Sequence, residues 1–215
     1  MSLVKVVNRR FFVSLSGAFS GSLAIALMSD AASASDVTNN KTTSGSNDWP
    51  TSQNGWPIEE TVDGGGNISK VSIEGTPLEV AMRLGEVTII LTHVIRRYHY
   101  EIDALLFGEV EGFKYPSADA LRTDGNHCSG TAIDIRPEWY PRGSFGGYSD
   151  REKSIIKSIL SDCEGVVVWG GFEDSNDESH FEIAVGPDDS LLFAVADKLR
   201  HWSATAGLGA GSLLI

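Results

Sequence analysis

The sequence is short of cysteine, of basic side chains and of long apolar runs. Only Cys128 and Cys163 occur in 215 residues, too few for a disulfide-built scaffold or a thiolate zinc finger. The 17 Lys and Arg are outnumbered by 29 Asp and Glu, giving a net charge of −12. Phosphate backbones and anionic lipid surfaces both demand clustered cations, so the charge argues against both as partners. The one lengthy apolar stretch, Phe11 to Met28, is diluted by Gly17, Gly21 and several serines. It is too weakly apolar for a permanent membrane helix. No internal repeat is present. The composition, 41% apolar and 21% charged, is that of a globular protein, and the length suits one domain with a full core.

That apolar stretch belongs to an expected export signal, residues 1–34. Lys5, Arg9 and Arg10 precede it, and Ala32-Ser33-Ala34 follows as a small-residue cleavage site. Arg9-Arg10-Phe11-Phe12-Val13 resembles a twin-arginine signal, with Asn8 where Ser or Thr is usual. Losing this segment removes three bases and Asp30, and takes the net charge from −12 to −14. Export would allow Cys128 and Cys163 to pair, but sequence leaves open whether their Cα atoms come close enough. Residues 35–55, rich in Ser, Thr, Asn and Gly, read as a flexible leader. Residues 56–203 read as one folded domain and 204–215 as a flexible, glycine-rich tail.

Within the domain, apolar side chains at Val87, Ile90, Leu91, Val94, Ile95 and Tyr98 recur at helical spacing and predict a helix over 84–99. Ser149 and Glu152 form a capping-box pattern before Ile155, Ile156, Ile159, Leu160 and Cys163, with Gly165 as a stop. Val166–Trp169 reads as a short buried strand and His180–Val185 as an alternating one. Asp188 and Asp189 open a last helix that buries Leu192, Val195, Ala196 and Leu199. Val71, Ile73 and Val80 fit either a strand or a loop. The fold class expected is α+β, a single domain.

Two of the five histidines stand in contexts unlike core packing. One is Asn126-His127-Cys128-Ser129-Gly130-Thr131-Ala132-Ile133-Asp134. The other is Asp177-Glu178-Ser179-His180-Phe181-Glu182. In a continuous strand His127 and Asp134 would have opposite parity, so a turn at Ser129-Gly130 is needed for them to meet. Two His and one carboxylate suffice for a catalytic zinc site, which keeps a fourth position for water. A carboxylate that is not a ligand can then move the proton. His93, His99 and His201 read as structural. Trp169 reads as a core residue, and Cys128 as neither ligand nor nucleophile.

His127-x-x-Gly130-x-Ala132-x-Asp134 followed by Asp177-x-x-His180 resembles the zinc D-alanyl-D-alanine carboxypeptidases of VanY and VanX type, a superfamily that includes phage L-alanyl-D-glutamate endopeptidases. His99-Tyr100-Glu101-Ile102-Asp103 and Trp169-Gly170-Gly171 extend the resemblance over most of 55–185. It implies a Hedgehog/DD-peptidase-like fold, with a small antiparallel sheet carrying one zinc ion between flanking helices. His127, Asp134 and His180 would be the zinc ligands and Asp177 the general base, with Glu178 its rival one residue off the spacing. Glu182 would be either a partner of a ligand or a surface acid. The family's Tyr-Arg pair is replaced by Tyr115-Pro116, its Ser before the first His by Gly125, and its residues after Trp-Gly-Gly by Phe172-Glu173. Arg122 is the nearest candidate for the missing oxyanion-stabilising cation.

The resemblance further implies a secreted or cell-wall-associated bacterial metallopeptidase acting on peptidoglycan stem peptides as a monomer, with no stable membrane insertion. The alternatives are an endopeptidase of the same superfamily, a zinc-containing peptidoglycan-binding module without catalysis, or a domain that zinc only staples together.

Overall fold

A computed structural model describes residues 51–172 and 176–211. The expected export signal and most of the expected leader lie outside the described residues. The described chain belongs to one compact unit, 46–215. It is α+β, with two small antiparallel sheets and five helices among the described residues. No described helix is long and apolar enough to cross a membrane.

The chain opens with residues 51–57 tied down rather than free. The Ser52 hydroxyl bonds Asn54, and Trp56 Nε1 donates to the Val185 carbonyl at 2.8 Å. The strand-or-loop residues Val71 and Val80 then pair across a hairpin, β1 (Ile68–Ser72) with β2 (Glu79–Arg83). Helix α1 (Glu86–Glu101) buries every apolar position that its spacing selects.

The second sheet has the order β3 (Val110–Glu111), β4 (Ala132–Ile135), β6 (His180–Ile183), β5 (Val167–Trp169), antiparallel throughout. Two short helices, α2 (Ala118–Thr123) and α3 (Gly125–Cys128), fill the β3–β4 connection. Helix α4 (Asp150–Asp162) starts at the expected capping box: Ser149 accepts from the Glu152 amide and Glu152 bonds back to the Ser149 amide. Helix α5 (Ser190–Ala204) is capped by Asp189.

Alternation sorts the central strands into two faces. Ile133 and Ile135 of β4, with Phe181 and Ile183 of β6, join the apolar core formed with α1, α4 and α5. Asp134, His180 and Glu182 take the other face by the same alternation. The register sets Asp134 opposite His180 and Ala132 opposite Glu182. One slip would move every polar group into the core.

Residues 205–211 do not hang free, because Ala210 is buried and its carbonyl accepts from Arg96 Nη2 at 3.1 Å. Cys128 and Cys163 are both buried and both free, so the open question of a disulfide is answered by two separate thiols.

Ser149→Ala removes the acceptor for the Glu152 amide and one half of the box. It should lower unfolding stability by about 1 kcal/mol, read as a shifted denaturation midpoint with an unchanged slope.

Candidate metal centre

His127, Asp134 and His180 come together, each offering one ligand atom, and these atoms all lie within 4.8 Å of one another. Three local devices assemble them. His127 sits in α3, which ends at Ser129. Gly130 then reverses the chain at φ +70°, with its amide donating to the His127 carbonyl at 2.9 Å. This is the turn that parity demands. A side chain at Gly130 would strike the Arg83 amide and Ile68, so the position favours glycine for space as well as torsion. Strand β4 presents Asp134, and its pairing with β6 presents His180 directly opposite.

Neighbours fix each ligand. His127 Nδ1 lies 2.6 Å from the Gly112 carbonyl. A carbonyl only accepts, so Nδ1 carries a proton, and Nε2 faces Asp134 Oδ1 3.1 Å away. His180 does the converse. Its Nε2 donates to Glu182 Oε2 at 3.0 Å and its Nδ1 faces Asp134 Oδ1 at 2.8 Å. Asn126 Nδ2 holds Glu182 Oε2 at 2.6 Å. Lys114 Nζ takes the other Asp134 oxygen at 2.9 Å, leaving Oδ1 for the centre. Each histidine is thus oriented through its second nitrogen, as metal-bound histidines are. Two imidazole nitrogens and one carboxylate oxygen form a donor set that fits zinc among other divalent ions.

The electrostatics follow from this geometry. Burial would raise the Asp134 carboxyl, but hydrogen bonds from His127 and His180 outweigh it and hold it far below the usual carboxylate range. Burial would lower His180, but Asp134 and Glu182 overcome it and push the imidazole up to about 9. For Glu182, burial acts upward and the bonds from His180 and Asn126 bring the net shift down.

Asp177 is buried beside the group without being part of it. It lines a cavity of about 240 Å³ with Arg142, Gly170, His180 and Glu182. Arg142 Nε donates to its Oδ2 at 2.8 Å, and Ser179 Oγ to its Oδ1 at 2.8 Å. Glu178, the rival base, is committed elsewhere: its carboxylate accepts the Gly146 and Gly147 amides at 3.0 and 2.7 Å. Glu182 is the partner of His180 and not a surface acid. Trp169 is buried, with its ring nitrogen donating to the Glu178 carbonyl. The glycines after it are sterically required. A Cβ on Gly170 would stand 2.5 Å from the Asp177 carbonyl oxygen, and one on Gly171 2.3 Å from the Trp169 ring. Where the family pattern has Ser, a side chain at Gly125 would meet Gln53.

Arg122, the nearest cation before the first motif in sequence, is not brought to the group. It pairs with Asp119 one helical turn away on α2, its side chain is 75% exposed, and it lines no part of this cavity. The cations at the site are Lys114 and Arg142. Neither carries a spacing signal, because both sit in loops that only the tertiary fold brings to the site, Lys114 onto Asp134 and Arg142 onto Asp177. A larger cavity, about 520 Å³ between α1 and residues 207–211, shares no residue with the metal group.

His180 has its protonated form favoured in the metal-free fold, so that stabilisation is complete below about pH 6.5 and is lost as pH rises through about 9. A metal must displace this proton. Affinity for zinc should therefore climb by up to about tenfold per pH unit between pH 7 and 9, measured by competition with a chromophoric chelator. An affinity independent of pH would contradict the arrangement.

No family model, curated protein or solved structure matches this chain.

Proposed function

We propose that this chain is an exported zinc metallopeptidase that hydrolyses peptidoglycan stem peptides, of the D-alanyl-D-alanine carboxypeptidase type and with a Hedgehog/DD-peptidase-like fold. The observation that carries the reading is the convergence of His127, Asp134 and His180 on one point, with Asp177 in the adjoining cavity and outside the group. Zinc, when bound there, supplies a Lewis acid and lowers the pKa of water. The three ligands leave a position for that water.

The chain's own residues do the rest. Asp177 accepts the proton of the attacking water and delivers it to the leaving amine, which is general acid–base work by one carboxylate. Arg142 lines the same cavity, and its guanidinium stands ready to offset negative charge developing on the scissile carbonyl. Lys114 and Glu182 each engage one ligand through a charged hydrogen bond and keep the trio preorganised. The twin-arginine-like segment supports the reading, since the implied substrate lies outside the membrane.

The test is incubation of the zinc-loaded protein with a defined pentapeptide stem, with and without chelator, and mass spectrometry of the products. Loss of one terminal D-alanine, abolished by the chelator, is expected. Asp177→Ala should lower kcat by about 10²–10⁴-fold and retain zinc, whereas His127→Ala should lose the metal. Internal cleavage would assign the endopeptidase activity instead. A zinc-loaded protein that hydrolyses no stem peptide would overturn the proposal.

A further inference from the structure

A buried carboxylate next to a three-ligand metal group poses a coordination problem. A carboxylate oxygen is as competent a zinc ligand as those already present, and a fourth protein ligand turns an open site into a closed structural one. Asp177 stands where this would happen. It is buried, lies three residues before His180, and shares the cavity with His180 and Glu182. A Cβ placed on Gly170 would lie 3.1 Å from Asp177 Cβ and 3.3 Å from His180 Cβ, so both side chains leave the backbone around one point.

Both oxygens of Asp177 are nevertheless engaged away from the metal group. Arg142 Nε holds Oδ2 and Ser179 Oγ holds Oδ1, each at 2.8 Å. Arg142 is itself anchored from the far side. Its Nη2 donates to Asp124 Oδ1 at 2.9 Å and its Nη1 to the Thr123 carbonyl at 3.2 Å. Asp124 immediately precedes α3, the helix that carries His127. The loop bearing Arg142 is pinned again by the Gly143 amide on the Asn176 carbonyl, at 2.9 Å, and by Glu178 on the Gly146 and Gly147 amides.

We infer that Arg142 is a positioning residue that holds Asp177 off the metal and so keeps the fourth coordination position open. The inference rests on the metal reading of His127, Asp134 and His180, and does not depend on which bond is cleaved. The direction of its effect follows from burial. A buried carboxylate stripped of its cation is strongly uncompensated, and a metal held by His180 and its partners would offer it a replacement positive charge beside the same cavity. Removing an outer partner of a metal site ordinarily weakens binding; here removal should strengthen it.

The experiment is cobalt titration of the full chain and its variants, followed by visible absorption and by chelator competition. Arg142→Ala should tighten cobalt by about tenfold or more and alter the d–d spectrum as an oxygen ligand replaces water. Asp177→Ala should keep the wild-type affinity, and Arg142→Ala with Asp177→Ala should return to it. Arg142→Lys, which restores one hydrogen bond, should fall between. Asp124→Asn loosens the clamp from its far end without touching Asp177, and should shift affinity in the same direction if Arg142→Ala does not fold. An Arg142→Ala protein whose affinity and spectrum are unchanged, or whose affinity falls, overturns the inference and leaves the metal site standing. Failure of the wild-type chain to bind cobalt or zinc would overturn the metal reading itself, and this inference with it.

Discussion

The carboxylate of Asp134 is the constraint on which the rest of the site depends. One of its oxygens meets His127 and His180, the other Lys114. A charge this deeply buried is tolerated only with such company. Every local feature around it serves that requirement. The β4–β6 register places His180 opposite it, the Gly130 turn brings His127 back to it, and the loop after β3 carries Lys114 across. Around these stands an outer ring of partners, Gly112, Glu182 and Asn126, that leaves each imidazole one free direction.

The acid excess takes on a different meaning at this depth. Many of the described acids pair with cations or cap helices away from the centre, as Asp119 does with Arg122 and Glu152 with Ser149. Four at the centre, three buried and Glu182 half-buried, are each matched: Asp134 with two histidines and a lysine, Glu182 with His180 and Asn126, Asp177 with Arg142 and Ser179, Glu178 with two backbone amides. Glu178 and Asp177 are neighbours in sequence with opposite duties, one pinning the loop of residues 141–147 and one facing the cavity. Without a metal the site is a closed electrostatic system in which the protonated form of His180 is favoured and a bound metal would have to replace that proton.

Much of this was legible in advance, for reasons particular to the residues. Helices α1, α4 and α5 follow from apolar spacing and from side-chain caps at Ser149 and Asp189, which are local interactions. The candidate metal trio follows from the resemblance of the two motifs, and the need for a turn at Ser129-Gly130 from strand parity. The hairpin β1–β2 was ambiguous because its strands are short and half polar. The cations were misplaced: Arg122 is near the first motif in sequence but on the solvent side of α2, while Lys114 and Arg142 reach the centre through loops. Nothing in linear order distinguishes a loop that folds back from one that does not. Residues 205–211 are packed for a related reason. Their glycines suggest freedom, but Gly211 lies against the Tyr100 ring, which only the packing of α1 beside α5 makes available.

By itself the sequence determined the α+β class, because period and caps are local properties of the chain, and the resemblance of its two motifs named the three metal-ligand candidates and the neighbouring Asp177. Tertiary structure decided which groups surround them. It chose Lys114 and Arg142 over Arg122, assigned Glu182 to His180 and Glu178 to a loop, and kept Cys128 and Cys163 apart. Those outcomes depend on distances between segments far apart in the chain. The β4–β6 register and the burial of one carboxylate set them, and neither is encoded in any single window of residues.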